Sequence, residues 1–158
     1  MEEKVPIGEL ICQELKEQER SIAWLAKKVY YRYNTLCDIL KRGSLDTDLL
    51  LRISKTLQYD FFAHYSVFLE ERCTLIVKEA NVVEKEKILI GNRIYQKLEE
   101  QDRSIAWLAK KAPHKYSALC KILKQNHIDT MLLLRISNAL KYDFFIHYSA
   151  FLKGQGYS

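Results

Sequence analysis

The 158-residue sequence has only five glycines and two prolines. So few turn-formers exclude a β-sandwich or barrel, which needs frequent tight turns, and the expected fold class is all-α. The four cysteines, Cys12, Cys37, Cys73 and Cys120, lie far apart, with no C-x-x-C or H-x-x-x-H pair. That spacing argues against a metal site or a disulfide, and reduced structural thiols are expected. No run approaches the roughly 18 apolar residues of a spanning helix, and Met1-Glu-Glu-Lys-Val-Pro6 is acidic where a signal peptide is basic and then apolar. A cytoplasmic location with no membrane partner is expected. A glycine-rich phosphate loop, a metal cluster and a nucleophile–base arrangement are also missing, so neither an enzyme nor a cofactor is expected. What is present is a composition of 48% hydrophobic and 28% charged residues, with 25 Lys and Arg against 20 Asp and Glu, a net charge of +5. Such a chain is too apolar for disorder and suits a globular protein.

An internal repeat dominates. Ile7-Gly8 reappears as Ile90-Gly91, and at that offset about 40 of 65 residues are identical. The longest shared blocks pair Arg20–Lys28 with Arg103–Lys111, Leu49–Ser54 with Leu132–Ser137, and Tyr59–Phe62 with Tyr142–Phe145. Solenoids stack three or more units, so two copies of this size predict two similar domains, 1–71 and 90–158, joined by a connector over 72–89. The connector lacks the Gly/Ser content of a loose tether and is expected to be partly ordered, with Thr74–Val77 able to extend.

Within each copy the apolar spacing is helical. Ile7, Ile11 and Leu15, like Ile90, Ile94 and Leu98, form one buried stripe of a first helix, and the Leu10/Arg93 position is expected to face solvent. Ser21 and Ser104 read as N-caps of a short second helix that stops near Tyr30 and Pro113. A third helix restarts at about Tyr33 or Tyr116 and runs to Lys41 or Lys124. Asp46 and Asp129 can cap a fourth helix, and Asp60 and Asp143 an aromatic-rich fifth.

Leu25-Ala26, Val29, Leu36 and Ile39, repeated as Leu108-Ala109, Ala112, Leu119 and Ile122, have the spacing of two short helices that cross closely around a tight turn. With the order of five helices, this resembles the phage-repressor/Cro-like (xenobiotic-response-element type) helix-turn-helix DNA-binding family, twice over. The resemblance implies two five-helix, lambda-repressor-like domains and sequence-specific binding of double-stranded DNA in transcription regulation. One feature departs from it. The turn position that the family often fills with glycine is Tyr30 in one copy and Pro113 in the other, so the two turns must differ in geometry.

Carried over by position, the resemblance puts Arg32, Tyr33, Asn34, Thr35 and Asp38 on the first recognition helix, and Lys115, Tyr116, Ser117, Ala118 and Lys121 on the second. Asn pairs with adenine, Arg with guanine or phosphate, and Thr or Tyr with base edges and phosphate oxygens. Lys27, Lys28, Lys41 and Arg42, with Lys110, Lys111 and Lys124, flank as phosphate contacts. The plain alternative is that these are solvated faces of a helical bundle.

The remaining conspicuous residues read as structural: Trp24 and Trp107 as partly buried, Arg52 and Arg135 as paired with carboxylates, His64 and His147 as packed or hydrogen-bonded. His114 and His127 have no counterpart in the first copy and, if protonated, add positive charge near DNA. The rings of Phe61, Phe62, Tyr65 and Phe68, and of Phe144, Phe145, Tyr148 and Phe151, exceed what one short helix can bury, so an interface is expected. It would be an intrachain pseudo-dimer or a homodimer. Charge is asymmetric: residues 1–83 hold 12 Lys and Arg against 13 Asp and Glu, and residues 84–158 hold 13 against 7. The near-neutral first half keeps a second function open, a protein-interaction adaptor that retains the fold without binding DNA.

Overall fold

A computed structural model describes residues 5–72 and 88–154, and every regular element among them is a helix. The first copy supplies α1 (Ile7–Glu17), α2 (Ile22–Lys28), α3 (Tyr33–Arg42), α4 (Thr47–Leu57) and α5 (Phe62–Arg72). The second supplies α6 (Ile90–Glu100), α7 (Ile105–Lys111), α8 (Tyr116–Gln125), α9 (Thr130–Leu140) and α10 (Phe145–Gly154). Most of the expected connector, with Cys73 and the Thr74–Val77 stretch, lies outside the described residues. No described helix is long and apolar enough to cross a membrane.

Local chemistry sets the helix starts. The Ser21 and Ser104 hydroxyls each accept from the N–H three residues on, at 3.0 Å. Asp46 accepts from Asp48 N–H at 2.8 Å, and Asp129 from Met131 N–H at 2.9 Å. Asp60 and Asp143 each accept from the first N–H of the aromatic helix at 3.0 Å. Each bond satisfies a donor that the first helical turn leaves without an intrahelical partner.

The expected stripes of α1 and α6 are buried. The Leu10/Arg93 position corrects the expectation of a solvent face, since both side chains are half-buried. Leu10 packs on the margin of the core. An arginine stem tolerates the same place because its methylenes are apolar. Gly8 and Gly91 bring the first helix of each copy onto the end of the third: a Cβ at either would collide with the carbonyl oxygen of Leu40 or Leu123.

The two copies meet along a seam with approximate two-fold symmetry. Thr47 N–H donates to the Ile128 carbonyl and Thr130 N–H to the Leu45 carbonyl, both at 2.8 Å, pairing Asp46 with Asp129 in a single antiparallel bridge. Behind it α5 and α10 lie face to face. Phe62 stacks on Tyr148 and Tyr65 on Phe145, in both cases with centroids 4.5 Å apart and rings 11° from parallel. Tyr148 donates to the Thr47 hydroxyl at 3.1 Å, whereas its counterpart Tyr65 faces Thr130 outside hydrogen-bond geometry.

Burial pushes both phenols above the ordinary tyrosine range, because an anion at the seam would lose its hydration. A raised folded-state pKa contributes stability that is complete below the unfolded value of about 10 and lost as pH rises beyond it. Urea unfolding at a series of pH values above 9 should therefore show a steep loss of stability in the native chain. The loss should be shallower in a Tyr65→Phe/Tyr148→Phe double variant; equal slopes would place the alkaline sensitivity elsewhere.

Candidate nucleic-acid interface

In the first copy Leu25, Ala26, Val29, Leu36 and Ile39 are all buried where α2 crosses α3. In the second, Leu108, Ala109, Ala112 and Leu119 are buried and Ile122 is half-buried. The short residue between the leucine and the core lets the helix axes approach. The turns differ as expected. Tyr30 takes a left-handed conformation at φ +61°, which costs a non-glycine residue about 1 kcal/mol and which its counterpart Pro113 does not share; the residue before it differs in ψ, 7° at Val29 and 72° at Ala112. Both turns nonetheless close with an equivalent bond, Tyr31 N–H to the Ala26 carbonyl at 2.9 Å and His114 N–H to the Ala109 carbonyl at 3.0 Å. The N–H that proline lacks is not the one that closes the turn.

This crossing presents the outer faces of α3 and α8. Arg32, Tyr33, Asn34, Thr35 and Asp38 are exposed together on the first, and Lys115, Tyr116, Ser117 and Lys121 on the second, with Ala118 half-buried. Lys27, Lys28, Lys41 and Arg42, and Lys110, Lys111 and Lys124, are exposed at the flanks. Tyr33 and Tyr116 stand at the first helical position, where a hydrogen bond to the thiol one turn on, Cys37 or Cys120, raises each phenol above its usual range. A tyrosine hydroxyl is a neutral donor in the ordinary pH range, suited to phosphate oxygens.

Trp24 and Trp107 are half-buried, and both carry cations on their rings. The Arg20 guanidinium lies 4.5 Å from the Trp24 centroid and the Lys28 ammonium 5.8 Å; Arg103 and Lys111 repeat this on Trp107 at 4.4 and 6.0 Å. Arg20 and Arg103 were not singled out by the sequence reasoning, although both belong to the block identical in the two copies. Stacking on an indole restrains a guanidinium while leaving its N–H edge available. Gly8 and Gly91 were missed too; their signal was the recurrence of glycine in a chain that has so few.

The histidines divide. His64 and His147 hydrogen-bond the Tyr59 and Tyr142 hydroxyls, at 2.8 and 2.9 Å. His114 is half-buried in the α7–α8 turn. His127 stands at the seam, its Nδ1 3.7 Å from an Asp46 oxygen and 4.0 Å from one of Asp48, so its ring is directed at carboxylates rather than at the α8 face. Arg52 pairs with Asp48 at 3.9 Å. Comparison with family models, curated proteins and solved structures returns no match.

Proposed function

We propose that this chain binds double-stranded DNA sequence-specifically, as a transcriptional regulator that reads an imperfectly symmetric site with α3 and α8. The observation that carries this reading is the pair of exposed polar faces, each backed by a buried helix crossing and flanked by lysines. The faces differ at Arg32/Lys115, Asn34/Ser117, Thr35/Ala118 and Asp38/Lys121, while the flanking Lys27-Lys28 and Lys110-Lys111 pairs are identical. Unlike reading residues between like phosphate contacts fit two unlike half-sites held in the same way. With α5 and α10 engaged with each other, a single chain can span the site; a homodimer through the same helices would have to part them.

Selection of bound duplexes from a random pool, using the full chain, tests the proposal, and the expected product is one non-palindromic motif. Asn34→Ala should shift base preference at one position by about 1–3 kcal/mol, whereas Lys27→Ala should weaken all duplexes alike and lower the salt slope by about one. Because the surplus of cations lies in residues 84–158, Lys110→Ala should cost more non-specific affinity than Lys27→Ala.

One observation favours a second reading, a protein-interaction adaptor. The Tyr30 ring is 90% exposed on a strained left-handed backbone and has Tyr33, 51% exposed, close behind it in sequence. Exposed aromatics of this kind anchor protein interfaces. Failure of the full chain to retain any duplex at low salt would favour the adaptor.

A further inference from the structure

We propose that a cavity of about 350 Å³ between the two copies binds a small zwitterion with an apolar body, of the class of the free apolar amino acids. This goes beyond DNA binding and does not depend on it. The walls come from both copies: Asp48, Leu51 and Lys55 on α4, Ile88 before α6, His127 in the α8–α9 turn and Phe151 on α10.

The internal repeat separates the seam's common framework from what is particular to this cavity. At the related positions on the opposite side of the seam, Leu51 and Phe151 are matched by Leu134 and Phe68, and the Thr47–Tyr148 pair by Thr130 and Tyr65. The titratable residues are not matched: Asp48 corresponds to Met131, Lys55 to Asn138 and His127 to Ser44. Residues that build the seam are thus kept on both sides, whereas Asp48, Lys55 and His127 stand on one; the lining residue Gln125 corresponds to Arg42 on the other.

Its chemistry follows from placement. Asp48 and Lys55 are seven residues apart on α4, two turns along one face, and a long helical side chain leans toward the N-terminus, which brings the ammonium back toward the carboxylate. The Lys55 ammonium stands 4.7 Å from the Phe151 ring centroid. The Asp48 carboxylate and the His127 ring lie 4.0 Å apart. A ligand carboxylate can meet Lys55, a ligand ammonium can meet Asp48, and an apolar side chain can cover Leu51, Ile88 and Phe151. The volume lies at the lower end of small-molecule sites. A ligand without a carboxylate would leave Lys55 unpaired in the cavity, and one without an ammonium would leave Asp48 to Arg52 and His127 alone, so each would lose an ion pair and bind more weakly.

Calorimetric titration and thermal melting of the full chain with L-leucine and with L-phenylalanine test this. The expected result is saturable 1:1 binding by at least one of them with a raised melting temperature, and affinity about tenfold lower for isoamylamine and isocaproate, the leucine analogues with one charge removed. Lys55→Asn and His127→Ser install the residues that the other copy carries at the equivalent places, so the fold should accept them. Lys55→Asn should weaken amino-acid binding about tenfold. No heat and no melting shift with either amino acid up to about 10 mM, or unchanged binding in Lys55→Asn, would overturn the proposal.

Discussion

Replacing Gly8 by alanine is expected to remove about 3 kcal/mol of stability, at the upper end of what an inserted methyl costs in a packed interior. The methyl group would meet the Leu40 carbonyl oxygen, which is backbone and cannot rotate aside as a side chain can. Relief requires α1 to retreat from the end of α3, which would open the layer holding Ile7, Ile11 and Leu36, all fully buried. Alanine is the better helix former, so propensity alone would make the same substitution stabilising by about 1 kcal/mol. The sign of the measured change decides between the two effects. Urea unfolding followed by circular dichroism should give a clearly lowered midpoint for Gly8→Ala and also for Gly91→Ala, where the Leu123 carbonyl and the Asn126 side chain close the same space. A midpoint at or above the native value in both variants would show that the helices separate at little cost.

Phe62→Ala should be of similar size, about 3–5 kcal/mol, because it empties a fully buried aromatic site. Its particular interest is that Phe62 stacks on Tyr148 from the other copy. In a double-mutant cycle, the double variant should lose about 0.5–1.5 kcal/mol less than the sum of the two single losses, which is the coupling of the pair. Additive losses would mean that the rings share space without interacting. A strong coupling has a mechanical corollary for the proposed function, since the seam that sets the relation of α3 to α8 would then be a rigid joint rather than a loose contact.

Much of the candidate surface could be read in advance. Helical periodicity places Leu25, Ala26, Leu36 and Ile39 inward and therefore Arg32, Asn34, Thr35 and Asp38 outward, and that division needs nothing beyond the pitch of a helix. It failed in small ways where an inward and an outward neighbour compete. Ala118 is half-buried on a face expected to be exposed, and Leu10 and Arg93 lie at the margin of the core. The stacking of Arg20 and Arg103 on tryptophan escaped notice because each arginine precedes its helix cap, outside the periodic segment that the pattern describes.

The helices, their caps and the Tyr30/Pro113 difference were determined by the sequence alone, because each depends on groups only a few residues apart: a serine hydroxyl and an N–H one turn on, or a proline and its own φ. The surplus of aromatic residues likewise announced an interface, since a short helix cannot bury so many rings by itself. Which surface would cover them was decided only in the tertiary structure, where α5 lies on α10, Thr47 pairs with Ile128, and Tyr148 reaches Thr47. The same is true of His127, whose place beside Asp46 and Asp48 and at the cavity follows from that seam. Two similar copies present the same local pattern, and the contacts that join them link residues far apart in sequence, which helical periodicity does not register.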